Sequence, residues 1–170
     1  LYHVWQSVSR CKTIDRVLIA TDSPEIIRAA QAFGAKVIKS SAKPKTGSDR
    51  VAEVAREVSA DLYVNIQGDC FGISSLAIDK AVSLVASNKK ISIGTLAAPI
   101  VSDDDLFSPN VVKVVCDSKG EALWFSRFPI PYIQQVTSAP RWRQAKFFGH
   151  IGVYVFRKAA LSQFAAWKRT

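Results

Sequence analysis

Methionine is absent from the 170 residues, even at position 1. A translated product starts with Met, and Met is seldom trimmed from before a bulky residue such as Leu1. The expectation is therefore a piece of a longer product. Cysteine is scarce: Cys11, Cys70 and Cys116 are odd in number and lack CxxC spacing. That argues against a disulfide framework and a zinc site, and suits a reducing compartment. No apolar run approaches the ~20 residues of a membrane helix. Leu1–Arg10 has neither the basic start nor the apolar core of a secretion signal. A soluble, cytoplasmic protein with no membrane partner is expected.

What is present fits one globular domain, 1–170, with a core of its own. Hydrophobic residues make up 48% of the chain and charged residues 22%. The net charge is +9. The basic residues are scattered, with denser runs at Arg141–Lys146 and Lys168–Arg169. RNP-type aromatics and a GXXG loop are lacking, so nucleic acid is not expected and an anionic small molecule is the better partner.

The first half alternates short apolar runs with amphipathic ones. Arg16–Ala20, Lys36–Ile38, Asp61–Ile66 and Ile91–Ala97 read as strands. Between the first two, Ser23 caps a helix begun by Pro24 and Glu25, with Ile26, Ile27, Ala30 and Phe33 on its buried face and Gly34 as its stop. Ser40–Gly47 reads as a loop. Ser48 is the candidate cap of a helix lined by Val51, Val54, Ala55 and Val58. Ser74 or Ser75 opens another helix, reaching about Asn88. This order predicts an α/β fold with a mostly parallel sheet and helices on both faces. Ligands of such sheets lie beyond the carboxyl ends of the strands, here Thr21-Asp22 and Gln67-Gly68-Asp69.

The second half differs. Asn110–Cys116 and Glu121–Phe125 flank Asp117-Ser118-Lys119-Gly120, an inserted hairpin. Gln134–Lys146 is a polar, basic loop, Phe147–Phe156 a strand, and Arg157–Trp167 a helix. Trp5, Trp124, Trp142 and Trp167 form no stacking array and are expected to pack.

Several residues admit a chemical and a plain structural reading. Asp69 can be a Mg²⁺ ligand or a turn residue, since Mg²⁺ keeps waters and phosphates and needs only one or two protein carboxylates. Gly47, Ser48 and Arg50 open a helix where backbone N–H groups favour anions, or merely cap it. Arg127, just after a strand, can hold a carboxylate bidentately or lie solvated. His150 lies in a strand and can be a ligand group or a hydrogen-bonded structural residue. Cys70 makes a poor nucleophile, because Asp69 beside it raises rather than lowers a thiol pKa.

Five segments in order carry a resemblance: VLIATDSPEI (Val17–Ile26), TGSDRVAEVA (Thr46–Ala55), VNIQGD (Val64–Asp69), NVVKVVCDSKGEALWFSRFPIPY (Asn110–Tyr132) and GHIGVYVFR (Gly149–Arg157). Together they resemble the 3-deoxy-manno-octulosonate (Kdo) cytidylyltransferases over almost the whole chain. The likeness to CMP-sialic acid synthetases is looser. The resemblance implies a Rossmann-like nucleotidyltransferase fold and transfer of CMP from CTP to Kdo, releasing pyrophosphate, for lipopolysaccharide synthesis. It implies Asp69 as the catalytic Mg²⁺ ligand, Gln67 with Gly47, Ser48 and Arg50 near the nucleotide, and Arg127 and His150 near the sugar acid. It also implies a homodimer formed with help from the hairpin.

The chain departs from that family where QGDEP is usual and Gln67-Gly68-Asp69-Cys70-Phe71 stands instead. A carboxylate has become a thiol and a proline an aromatic. Phe128 occupies a usually small position of FSRxPIPY. The family's opening strand and ARxxSxRLPxK loop, and a C-terminal segment with a second metal-binding Asp, have no counterpart in 1–170. A sheet without that strand would expose an apolar gap and two edges. Residues 1–170 alone are thus expected to be marginally stable and catalytically incompetent. The rival expectations are a degenerate homologue that only binds or dimerises, and a transferase for another 2-keto sugar acid such as sialic acid.

Overall fold

The computed structural model describes residues 1–134 and 137–167. The basic pair Lys168–Arg169 and part of the expected loop Gln134–Lys146 lie outside the described residues. The chain divides into two compact units, Leu1–Gly94 with Gly152–Thr170, and Thr95–Ile151.

The first unit opens with helix α1 (Tyr2–Val8), which buries Val4 and Val8. Strand β1 (Leu18–Thr21) leads into α2 (Pro24–Ala32) and β2 (Lys36–Lys39). Ser23 caps α2 by accepting from the Ile26 amide, and Gly34 takes φ +82° just beyond its end. The expected buried face is only partly realised: Ala30 is buried, whereas Ile26 is exposed. β1 and β2 pair in parallel, as a short strand–helix–strand crossover requires.

Helix α3 (Gly47–Glu57) is capped by Thr46 rather than Ser48. The Thr46 hydroxyl accepts from the Asp49 amide at 3.2 Å, and Asp49 accepts from the Thr46 amide at 2.9 Å. This reciprocal capping box outcompetes Ser48, which falls inside the first turn. β3 (Leu62–Ile66), α4 (Ser75–Ser87) and the last helix α6 (Lys158–Ala166) follow. Ala52, Tyr63, Phe156 and Leu161 form a buried cluster. The Tyr63 hydroxyl donates to the Val58 carbonyl at 2.8 Å and accepts from the Ala60 amide at 3.0 Å, so this half-polar side chain is buried at no hydrogen-bond loss.

The second unit contains most of β4 (Ile93–Pro99), then α5 (Asp103–Phe107), β5 (Lys113–Cys116), β6 (Ala122–Ser126) and the first residues of β7 (Phe148–Arg157). The hairpin is as the sequence predicts: Asp117 accepts from the Lys119 and Glu121 amides, and Gly120 takes φ +83°. Its own small core is Ile100, Leu106 and Phe147, with Trp142 packed against them. The expected packing of all four tryptophans fails for Trp124 (68% exposed) and Trp167 (67%).

The molecule is α/β, but the expected mostly parallel sheet is not what the described pairings show. β1–β2 is parallel, whereas β3–β7, β5–β6 and β5–β7 are antiparallel. The reason lies in connectivity. β3 pairs not with the next strand after a helical crossover but with the returning β7, which arrives head to tail against it. Among the described residues β1 pairs only with β2, and β3 only with β7. A cavity of about 740 Å³ is lined by both strands, at Leu18, Ile19, Leu62 and Val64, and by Val51 and Val54 of α3.

Candidate functional site

In the first unit the ends of three strands meet the start of α3. Asp22, one residue beyond β1, pairs with Arg50: Asp22 Oδ1 lies 2.9 Å from the guanidinium Nη1. Arg50 Nη1 also donates to Ser40 Oγ, beyond β2. Ser41 is held by Glu53 of α3, its amide donating at 2.8 Å and its hydroxyl at 3.0 Å. From β3, buried Asn65 donates from Nδ2 to Ser48 Oγ at 3.2 Å. Gly47 lies so close to the Gln67 side chain that a Cβ on Gly47 would collide with Gln67 Nε2. A side chain at position 47 would therefore push the end of the Gln67 side chain aside. Gly47, Ser48, Arg50 and Gln67 are thereby brought together.

Asp69 is exposed in the turn after β3. That turn closes on itself, Cys70 N donating to Gln67 O at 3.1 Å and Phe71 N to Asp69 O. Its amides are thus satisfied by backbone, leaving the carboxylate outside the turn's own bonding. Among the described residues no group of three or more His, Cys, Asp or Glu could hold a metal ion. One exposed carboxylate still fits Mg²⁺, whose remaining positions go to water and phosphate oxygens. Burial first, and then Asp69, push the Cys70 thiol above its ordinary pKa, so it is a neutral neighbour and not a nucleophile. Phe71 is 80% exposed.

The second unit holds the other two candidates. β5 runs between β6 and β7, with Lys113 opposite Ser126 on one side and Gly149 on the other. Arg127 and His150 are each one residue further along. Arg127 is exposed, and its Nη1 donates to the Pro109 carbonyl at 2.6 Å. His150 is half-buried. Its Nε2 is 2.8 Å from Thr95 Oγ1, its amide donates to the Val112 carbonyl at 2.7 Å, and its ring meets Phe125 edge-on at 4.9 Å. Burial lowers its pKa, favouring the neutral imidazole near pH 7.

Sequence reasoning missed Ser40, Glu53, Asn65, Thr95 and Lys113. Only Lys113 left a signal, as the one charge in the apolar run NVVKVVC. The basic run is partly committed to structure: Asp103 accepts from the Arg141 amide at 3.2 Å and the Trp142 amide at 2.9 Å, and the Arg143 guanidinium lies 4.8 Å from the Trp142 ring centroid.

Comparison with known proteins agrees across both units. The cytidylyltransferase family model matches residues 1–170. The 3-deoxy-manno-octulosonate cytidylyltransferase of Geobacter sulfurreducens is 38% identical over 173 residues, covering 96% of this chain and 67% of that protein. That of Chloroherpeton thalassium is 40% identical, covering 94% of this chain and 64% of that protein. The chain thus spans about two thirds of the length of these curated relatives. A solved CMP:2-keto-3-deoxy-manno-octonic acid synthetase complexed with CTP superposes with a TM-score of 0.88 at 30% identity, over 99% of this chain and 67% of its own. HddC from Yersinia pseudotuberculosis, at 12% identity and a TM-score of 0.63, shares the fold alone. The chain belongs to the cytidylyltransferase family.

Proposed function

We propose that the protein transfers CMP from CTP to 3-deoxy-D-manno-octulosonate, giving CMP-Kdo and pyrophosphate for lipopolysaccharide synthesis, on a Rossmann-like nucleotidyltransferase framework. The observation that carries this reading is the near-complete superposition on a CTP-bound CMP-Kdo synthetase. The sugar's anomeric oxygen forms the new bond to the α-phosphorus. The bond to the β-bridging oxygen breaks, pyrophosphate leaves, and the hydroxyl proton passes to solvent. Such a transfer depends mainly on positioning and charge neutralisation.

Arg50 and the amides at the start of α3 neutralise and orient phosphate oxygens, while Gln67, held against Gly47, supplies a directional amide beside them. Asp69 would hold Mg²⁺, which when bound supplies positive charge against the triphosphate. Arg127 takes the sugar carboxylate, the planar pairing that a guanidinium favours. His150, neutral and oriented by Thr95, offers a hydrogen bond to a sugar hydroxyl. A homodimer is supported by the solvent-facing apolar surface of β6, with Leu123, Trp124 and Phe125 exposed. A cytoplasmic location suits the free thiols and the nucleotide substrate; no helix among the described residues is long and apolar enough to cross a membrane.

CTP titration by calorimetry, with and without Mg²⁺, tests the reading on wild type and Asp69→Ala. Mg²⁺-dependent binding that the variant loses supports it, together with Kdo-dependent pyrophosphate release by the protein as its gene encodes it. A folded protein that ignores CTP overturns it. Cys70 and Phe71, in place of the family's Glu-Pro, favour a second reading, a homologue that binds without turning over. CTP binding with no pyrophosphate release by the encoded protein selects that reading.

A further inference from the structure

Among the described residues Lys113 is the largest fully buried side chain, at 0% exposure. It sits on β5 between Ser126 and Gly149, so it is flanked by β6, which ends one residue before Arg127, and by β7, which carries His150. Its ammonium donates to the Ser108 carbonyl at 2.8 Å and the Val111 carbonyl at 2.6 Å. Arg127 Nη1 donates to the Pro109 carbonyl, at 2.6 Å, in the same stretch. Two cations therefore hold three carbonyls of one four-residue turn. Among the described residues Lys113 makes no ion pair.

An ammonium buried without a counter-ion is costly, and hydrogen bonds to neutral carbonyls offset only part of that cost. An apolar residue would fill the same core position without the penalty. Burial, and then the nearby Arg127 charge, hold the Lys113 pKa below its ordinary value, in keeping with a cation that lacks an anion of its own. The turn from Ser108 to Val111 gains most from the arrangement. Its own backbone bond runs from the Val111 amide to the Ser108 carbonyl, at 3.3 Å; the Pro109 and Val111 carbonyls are held by Arg127 and Lys113, and the turn is the surface on which the Arg127 guanidinium rests.

We propose that Lys113 is a positioning residue for anion recognition in this unit: it fixes the Ser108-to-Val111 turn, and through Pro109 that turn fixes the Arg127 guanidinium for a sugar carboxylate. The proposal rests on the functional reading above. Lys113 touches no substrate; it acts through Arg127. Its removal therefore weakens the sugar acid and not the nucleotide, and has no further effect once Arg127 is gone.

The test is a double-mutant cycle on the encoded protein with Lys113→Met, Arg127→Ala and both together, read by calorimetric binding of Kdo and of CTP, with melting followed in parallel. Lys113→Gln, which retains an N–H donor, is the second variant. Lys113→Met should weaken Kdo binding about tenfold and leave CTP binding unchanged; the double variant should bind Kdo no worse than Arg127→Ala. Lys113→Gln should recover part of the loss. Additive losses, equal losses for both ligands, or failure of both Lys113 variants to fold would overturn the proposal. Wild-type protein that binds CTP but no 2-keto sugar acid overturns the functional reading itself, whereas wild type that binds Kdo with variants that bind it equally well overturns only the role of Lys113.

Discussion

The two units handle polar groups in opposite ways. In the first, side chains at the strand ends answer one another: Asp22 with Arg50, Ser41 with Glu53, Asn65 with Ser48. In the second, Lys113 and Arg127 rest on backbone carbonyls and His150 on a hydroxyl. The first arrangement is closed before any ligand arrives. The second, among the described residues, leaves positive charge unpaired with protein carboxylates, the condition an anionic sugar would relieve. On the proposed reading a nucleotide would insert into an existing network, while a sugar acid would complete an unfinished one.

The strongest way to break this contrast is Asp69→Asn, which keeps size and removes charge. It should lower pyrophosphate release about a thousandfold or more while leaving Kdo binding intact. An equal loss of sugar binding would mean the two functions do not divide between the units. Next in size, Arg127→Ala should weaken Kdo about a hundredfold with little change in CTP affinity, the loss expected for a bidentate charged pair. Rapid-equilibrium kinetics with each substrate varied would separate the two.

Gly47→Ala sharpens the picture inside the first unit. The added Cβ pushes the flexible end of Gln67 aside, so CTP affinity should fall about tenfold with little change in the melting midpoint. Adding Gln67→Ala in the same chain should lower the affinity no further. The smallest effect concerns pH. His150 has a lowered folded-state pKa. Below its unfolded value of ~6.5 the unfolded chain therefore binds more protons, and stability falls as pH drops; above that value the contribution is complete. His150→Gln should flatten stability against pH over that acid range, by denaturant titration, and leave it unchanged at pH 8.

Much of the fold was legible because its signals were local. Ser23-Pro24-Glu25 and Gly34 bracket α2, and Asp117–Gly120 dictates its turn through one carboxylate and one positive φ. The cap of α3 was misread because Thr46 and Ser48 are both good caps, and only the reciprocal bond with Asp49 decides between them. Strand direction was misread because β3 pairs with a strand far along the chain, and no local pattern encodes that return. The polar strand ends were legible at Asp22, Gln67 and Asp69, and the structure joins the first two to the start of α3. Asn65 was hidden inside an apolar run, where periodicity treats a polar residue as noise, while Lys113 stood out there as a lone charge without any sign of what it binds.

The Asp22–Arg50 pair also bears on ionic strength. A chain of net charge +9 should attract a polyanion less as salt rises. Yet a phosphate that reaches Arg50 competes there with a carboxylate 2.9 Å away, and salt loosens that hold as well. The two effects oppose each other. CTP affinity should therefore decline with salt more gently than net charge alone implies, and Asp22→Asn should steepen the slope.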